Sequence, residues 1–480
     1  MIAGRAGDAP AAAPGDAEAG ASAAPSAASA ASAASAAPSV SAAPSVSSRA
    51  SAAQHFELAF QLHKDALRFQ MFILTACVFA HLYNVASSAM FFSSLYPVLN
   101  ATGAAPRFSA VDAVLMSSHV LAIDVTSAMF VVAGFFSAYT FSNVPTADRA
   151  EICKIIAVYV LIDVWLAGGI SVAVGSIFHL VRHTFRARDV ALTALESALC
   201  LRALDVQQDG GHWHSLNPTA WPVLCLFWAT LLTPLTLEGN ERLRKCHQNA
   251  SVVIPWVNAC APILVISLFA LVHDNSNIFY MNAANVGYRV LEFNLGICVY
   301  SSMQACPVAF WRVAGVIGHL WLYVLAGFVT LWWAQLGAPV PPHDGPCIRM
   351  YCFSPCIEMH HGLLMRGCFL GVTLVCRVLT ASEDAMQRLA ACVSPAHDRA
   401  LTASMAAVLL TWPACYATHL LLEFNFGEQI VRDNSALLAL VVPHIALALA
   451  LLWDTAWKPS VYLVVEGALY RVLGWAHEDA

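Results

Sequence analysis

Ten long apolar runs restrict the fold that this 480-residue chain can adopt. A helix that crosses the hydrocarbon core of a bilayer needs about 20 mostly apolar residues, because each residue advances the helix by about 1.5 Å. The runs that meet this requirement are 69–92, 112–141, 155–178, 220–237, 252–272, 286–304, 311–334, 362–380, 401–424 and 436–455. They predict an all-α, polytopic membrane protein with about ten transmembrane helices.

The composition supports the same class of protein. Hydrophobic residues make up 59% of the chain and charged residues only 11%, whereas about 25% of the residues of an ordinary soluble domain are charged. A transmembrane β-barrel would show alternating segments of about 10 residues, but these runs are continuous. The net charge is −6 and there is no basic tract, so we expect membrane lipids and no nucleic acid as partners.

The N-terminal segment has a different composition from the rest of the chain. Residues 1–54 are rich in Ala, Ser and Pro and repeat variants of Ala-Ala-Pro-Ser. A segment with so few large apolar side chains cannot form a compact core. We therefore expect a disordered tail over residues 1–54 and a membrane-embedded domain over residues 55–480.

The basic residues predict which ends of the helices face the cytoplasm. With a cytoplasmic N-terminus, fifteen Lys and Arg residues fall on the cytoplasmic side and seven on the other side. Because short cytoplasmic loops carry an excess of Lys and Arg, this bias favours cytoplasmic N- and C-termini. The exception is the loop 179–219 on the opposite side, which carries four arginines. A short amphipathic segment, 460–474, follows the last run.

Two ionisable residues inside apolar runs are candidates for catalysis. His81 lies in the run 69–92 and Asp124 in the run 112–141, where ionisable side chains are costly and often functional. His81 is either a histidine that packs between helices or a general base that faces a cavity, since the ordinary histidine pKa of about 6.5 suits proton abstraction near neutral pH. Asp124 is either its charge-relay partner or a structural hydrogen-bonding group.

Arg289 and Glu292 form a second charged pair within an apolar run. Their i, i+3 spacing places both side chains on one helix face, where they can neutralise each other. The alternative is that Arg289 holds an anion, because guanidinium groups suit phosphate and carboxylate. Tyr416 and His419 also share a helix face, and there we expect packing.

We expect no metal site. Cys347, Cys352 and Cys356 lie in a loop rich in Cys and His, but their spacing matches no standard zinc pattern, and a disulfide between two of the three is favoured. His212 and His214 lack an evident third ligand.

Six segments resemble, in order, the motifs of one family of integral-membrane enzymes. They are Lys64–Arg68 with His81 one helix length later, Ile123–Phe135, Gly211–Leu216, Tyr288–Gly296, Tyr416–His419 and Ser460–Glu466. These resemble "LDglRg…vvlfH", "vDlFFvlSGFl", "lWsLsvE", "fRlpeFllG", "YLvH" and "lsYrlvErP" of the acyltransferase 3 family. The resemblance covers roughly residues 63–475 and is to a divergent member, since Asn217 and Pro218 stand where the third motif ends in glutamate.

The resemblance implies an acyltransferase that uses acyl-CoA, with acetyl-CoA the expected donor, at the cytoplasmic face. The acceptor would be a hydroxyl or amine of a sugar, a lipid or another molecule. Acyl transfer needs a base, groups that orient the base, and cationic groups for the CoA phosphates. We therefore expect His81 as the base, Asp124 or Glu292 as its orienting group, and Arg68, Arg289, Arg242, Arg244 and Lys245 as donor contacts.

Two alternatives remain open at this point. A transporter or channel could use His81, Asp124, Arg289 and Glu292 as a polar path through the membrane, although the two halves of the chain show no obvious duplication. A catalytically inactive family member could act in binding or sensing.

Overall fold

The structure is a computed structural model that describes part of the chain. It describes residues 110–142, 149–181, 186–201, 216–217, 220–246, 286–303, 309–320, 370–377, 395–427 and 434–472, with a few single positions between these ranges. The tail 1–54, Arg68, His81 and the cysteines of the loop 347–356 lie outside the described residues. The side chains of Asp124 and Arg244 lie outside the described part as well.

Every regular element in the described part of the chain is helical, which confirms the all-α prediction for this part. The helices are α1 (Ala110–Ser142), α2 (Arg149–Val181), α3 (Ala187–Ala198), α4 (Trp221–Cys246), α5 (Val286–Met303), α6 (Pro395–Phe426), α7 (Ser435–Leu452) and α8 (Lys458–Val472). A π-helical turn, Trp453–Trp457, joins α7 to α8. Residues 309–320 and 370–377 are also helical.

Four helices are long and apolar enough to cross a membrane. The stretches that meet this criterion are Val125–Ser142 in α1, Val160–Phe178 in α2, Trp221–Leu243 in α4 and Met405–Phe426 in α6. Each overlaps one of the predicted runs, and the stretch in α4 extends six residues beyond the end of the run 220–237. The total of ten spans and the sidedness of the termini stay predictions.

Helices α1 and α5 make the most extensive helix–helix contact among the described elements. A Cβ atom added to Gly134 of α1 would lie 1.9 Å from the carbonyl oxygen of Phe293, and one added to Gly296 of α5 would lie 1.9 Å from that of Val131. The two backbones therefore touch at a reciprocal pair of glycines, as in membrane helix pairs with small interface residues.

The main apolar core lies where α1, α2, α4, α5 and α6 meet. Its buried members include Phe130, Leu224, Phe293 and Leu409, each at most 3% exposed. This core surrounds the charged residues of α5, so the charges of Arg289 and Glu292 can be accommodated only by other polar groups within it.

Helix α3 lies within the loop 179–219 and was not predicted from the sequence. The indole of Trp165 on α2 donates a hydrogen bond to the Ala198 carbonyl (2.6 Å), and that of Trp228 on α4 donates to the Cys200 carbonyl (3.1 Å). The first bond satisfies a carbonyl group at the end of α3, which the helix itself leaves without a partner, and the second anchors the segment just after the helix. Burial also raises the pKa of the Cys200 thiol to about 11, so this thiol stays protonated at neutral pH.

Candidate functional site

Ser127, Arg289 and Glu292 form a hydrogen-bonded group in the core, here called the buried polar cluster. All three residues are at most 1% exposed. One guanidinium nitrogen of Arg289, Nη1, donates to Oε2 of Glu292 at 2.5 Å and lies 3.0 Å from Oγ of Ser127. The Ser127 hydroxyl donates to Oε1 of Glu292 at 2.7 Å.

Two aromatic rings complete the surroundings of the Arg289 guanidinium. Its central carbon lies 5.4 Å from the ring centroid of Phe130 on α1 and 5.1 Å from that of Trp221 on α4. The two rings are nearly parallel, with centroids 6.4 Å apart. A cation at this distance from an aromatic face is stabilised electrostatically, so three helices contribute to holding the one guanidinium.

The buried polar cluster shows how the apolar core accommodates two opposite charges. Arg289 and Glu292 neutralise each other within one turn of α5, and the Ser127 hydroxyl adds a hydrogen bond to the carboxylate. The structure thus confirms that the two charged side chains pair on one helix face. The roles of Arg289 as a donor contact and of Glu292 as an orienting group stay predictions.

Asp124 lies on α1 one helical turn before Ser127, so its backbone is close to the buried polar cluster along the helix. Since the proposed base His81 and its companion Arg68 lie outside the described residues, their positions relative to the cluster stay predictions.

The predicted donor contacts on α4 lie at the opposite end of that helix from the cluster. Arg242 is exposed and pairs with Glu238 (2.5 Å), and Lys245 is exposed. Trp221, which contacts Arg289, is the first residue of α4. At about 1.5 Å per residue, Arg242 and Lys245 lie roughly 30 Å from it along the helix. The structure therefore brings Arg289 and Glu292 together but does not bring Arg289 close to Arg242 or Lys245.

A cavity of about 270 Å³ lies beside the buried polar cluster, between α2, α3, α4 and α6. Trp221 forms part of its wall and also contacts Arg289, so the cavity and the cluster share this indole. The lining side chains are mostly small or apolar, and they are Val164, Trp165, Gly168, Gly169, Val172, Ala194, Ser197, Ala198, Leu199, Asn217, Ala220, Trp221, Leu224 and Leu409.

Leu409, which lines the cavity, has a backbone carbonyl that cannot form its usual helical hydrogen bond. Pro413 lies inside α6, and because proline has no N–H, the Leu409 carbonyl loses its helical hydrogen bond. The Ser171 hydroxyl and the Asn217 amide both donate to this oxygen, the latter at 3.0 Å. These bonds link α6 to α2 and to the segment before α4.

This arrangement makes a stability prediction. The double variant Ser171→Ala/Asn217→Ala should lower the free energy of unfolding by about 1–3 kcal/mol, because it leaves a buried carbonyl without a hydrogen-bond partner. Adding Pro413→Ala should restore most of that stability, since the new N–H can bond to the Leu409 carbonyl. Thermal unfolding of the purified protein in detergent would measure both changes.

Pro413→Ala in the otherwise unchanged chain is the control. There the carbonyl already has partners, so the gain should be smaller than in the double variant. An equal gain in both backgrounds would contradict the assignment of Ser171 and Asn217 to the Leu409 carbonyl.

The predicted packing of Tyr416 and His419 is also seen. The Phe178 ring of α2 stacks on Tyr416 with centroids 4.1 Å apart and meets His419 edge-on at 6.4 Å. In addition, Nδ1 of His419 lies 3.3 Å from a carboxylate oxygen of Glu423. This pair has the i, i+4 spacing of helix neighbours, which is visible in the sequence.

A second buried acidic residue, Asp163, was also missed. Its carboxylate accepts hydrogen bonds from Nζ of Lys458 (2.9 Å) and from the indole of Trp453 (3.2 Å), and it is 7% exposed. The sequence indicates a buried interaction for Asp163, because the residue lies inside the apolar run 155–178, where a charged side chain needs a partner. These bonds fix the π-helical turn and the start of α8 against α2.

Comparison of the chain with protein-family models, with curated proteins and with solved structures finds no match.

Proposed function

We propose that the protein is an integral-membrane acyltransferase that transfers an acyl group, with acetyl the first choice, from acyl-CoA to a hydroxyl or amine. The observation that carries this proposal is the contact between two of the motif segments, Ile123–Phe135 and Tyr288–Gly296. Ser127 and Glu292, one from each segment, are 165 residues apart in the chain yet share a buried hydrogen bond. Motifs of one active site are expected to meet in this way.

In the proposed reaction, His81 takes the proton from the acceptor hydroxyl or amine. The acceptor atom attacks the thioester carbonyl, the carbon–sulfur bond breaks, and CoA leaves as a thiolate that accepts a proton. Asp124 or Glu292 orients the imidazole of His81 so that its other nitrogen can act as the base. Because the carboxylate of Glu292 is already fixed by Ser127 and Arg289, it needs little rearrangement to serve in this way.

The donor and the buried polar cluster occupy different ends of α4 in this proposal. The basic end of α4, with Arg242, Arg244 and Lys245, contacts the CoA phosphates, as suits cations at a helix C-terminus near an anionic ligand. Arg68, which directly precedes the run 69–92, supports the donor. Arg289 is buried against Glu292 and contacts Trp221, which lies roughly 30 Å along α4 from this end. We therefore assign Arg289 to positioning Glu292 rather than to the phosphates.

An assay with radiolabelled acetyl-CoA on the purified full chain in liposomes tests the proposal. Label should reach a membrane or soluble acceptor, and His81→Ala should lower the rate about 10²–10⁴-fold, the usual contribution of a general base. His444→Ala is the matched control, since His444 is an exposed histidine on α7 and should leave the rate unchanged.

Two outcomes would contradict the acyltransferase proposal. Uptake of a substrate into the liposomes without labelled product would support the transporter alternative. A wild-type protein that binds acetyl-CoA but transfers no label to any acceptor would support the inactive, ligand-sensing alternative.

A further inference from the structure

The cavity between α2, α3, α4 and α6 opens at an apolar surface. Trp165, Gly169, Ala198 and Leu199 line it and are also exposed, so its mouth lies between α2 and α3. The surface around this mouth carries further exposed apolar side chains, such as Ile170 at 38% exposure. A ligand would reach the cavity through apolar surroundings.

Helix α3 has the character of a helix that lies at a membrane surface. Leu192, Leu195 and Leu199 are each more than half exposed and follow one another at spacings of three and four residues. Arg186 and Arg188 are exposed at its N-terminal end. An amphipathic helix with a row of exposed leucines and basic residues at one end suits the interface plane of a bilayer, which places the mouth at the boundary between the lipid head groups and the acyl chains.

The polar side chains in the cavity wall donate their hydrogens to the protein. The Ser197 hydroxyl donates to the Thr193 carbonyl at 2.8 Å. The Trp165 indole donates to Ala198, and the Asn217 amide donates to Leu409. These donors are committed to the fold, and the remaining wall is chiefly small and aliphatic, which suits a hydrocarbon chain better than a sugar or a nucleotide.

The size of the cavity fits a short linear chain. Its volume of about 270 Å³ clearly exceeds that of an apolar cavity of roughly 150 Å³ that binds benzene. Gly169 stands at the mouth, and a Cβ atom added to it would meet no atom within 4 Å.

We infer that this cavity binds one acyl chain of a membrane lipid. The lipid source is favoured over acyl-CoA because the mouth opens at the apolar surface of α2 and α3, far from the basic end of α4. This inference rests on the proposed function in one respect: in an acyltransferase, a lipid held here is the acceptor, with its head group at the surface beside α3. The binding itself requires no catalysis.

A photo-crosslinking experiment on the full chain in nanodiscs tests the inference. The probe is a phosphatidylcholine whose ten-carbon chain ends in a diazirine and an alkyne, and a second arm uses the same chain as a CoA thioester. The lipid probe should label peptides that contain residues 164–172 or 194–199. In Gly169→Leu, which adds a bulky side chain at the mouth, labelling there should fall at least about tenfold, as expected for a ligand that loses its buried apolar contacts.

Gly239→Leu is the matched control, because Gly239 is also a helical glycine with nothing within 4 Å of an added Cβ but does not line the cavity. It should keep the labelling of the unchanged chain. Ala198→Phe, which places a ring at the mouth, is a second test that remains available if Gly169→Leu does not fold.

Three results would overturn the inference: unchanged labelling in both cavity variants, equal loss in Gly239→Leu, or stronger labelling of these peptides by the CoA thioester than by the lipid. Because the readout is binding, a positive result together with no acyl transfer would retain the lipid site and reject the enzyme.

Discussion

Gly296→Ala is expected to lower the free energy of unfolding by about 1–3 kcal/mol or more, the range for overpacking a close-packed interface. The added methyl would lie 1.9 Å from the Val131 carbonyl oxygen and 2.7 Å from the Phe135 nitrogen. Both are backbone atoms, so α1 and α5 must move apart to accept it. Gly134→Ala should behave similarly, because its methyl would meet the Phe293 carbonyl at 1.9 Å.

The separation of α1 and α5 has a second expected effect. Ser127 on α1 and Glu292 on α5 share the 2.7 Å hydrogen bond of the buried polar cluster, and this bond joins the same two helices. The glycine variants should therefore lose part of the cluster as well as the helix packing. Thermal unfolding in detergent, followed by size-exclusion chromatography, measures the combined loss.

Gly239→Ala distinguishes this steric effect from the general effect of replacing a helical glycine. Nothing lies within 4 Å of a Cβ added there, so the variant should gain up to about 1 kcal/mol from the better helix propensity of alanine. If Gly296→Ala and Gly239→Ala shift the unfolding temperature in the same direction, the result would contradict the close backbone contact between α1 and α5 at Gly296.

Apolar length made the long helices predictable. The run 112–141 differs from α1 by only two residues at its start and one at its end, because the same apolar side chains define both the run and the buried surface. Helix α3 could not be found in this way, since it has only 12 residues. Its position depends on the indoles of Trp165 and Trp228, which approach it only after α2 and α4 have packed.

The charged pair was predictable, but its surroundings were not. The i, i+3 spacing of Arg289 and Glu292 is a local property of the sequence. Ser127 and Trp221 come from other helices, and no spacing in the chain connects them with α5. Similarly, Pro413 predicts a carbonyl without its helical partner at Leu409, but only the packed structure identifies Ser171 and Asn217 as the donors.

Arg289→Met is expected to destabilise the protein by about 3–5 kcal/mol, the usual loss when one partner of a buried ion pair is removed. The variant leaves the Glu292 carboxylate, which is fully buried, without its cation. The double variant Arg289→Met/Glu292→Leu should recover most of this stability, because apolar side chains of similar volume replace a buried pair at little net loss. The Ser127 hydroxyl can then bond to the carbonyl one turn earlier on α1.

The double variant also separates a structural role of the pair from a catalytic one. Unfolding measurements on the two single variants and the double variant give the coupling free energy between the side chains, and a value near zero would contradict the ion pair. In the acyl-transfer assay, a folded double variant with a greatly reduced rate would support Glu292 as the group that orients His81. A folded double variant with the full rate would assign the pair to stability alone and leave Asp124 as the orienting carboxylate.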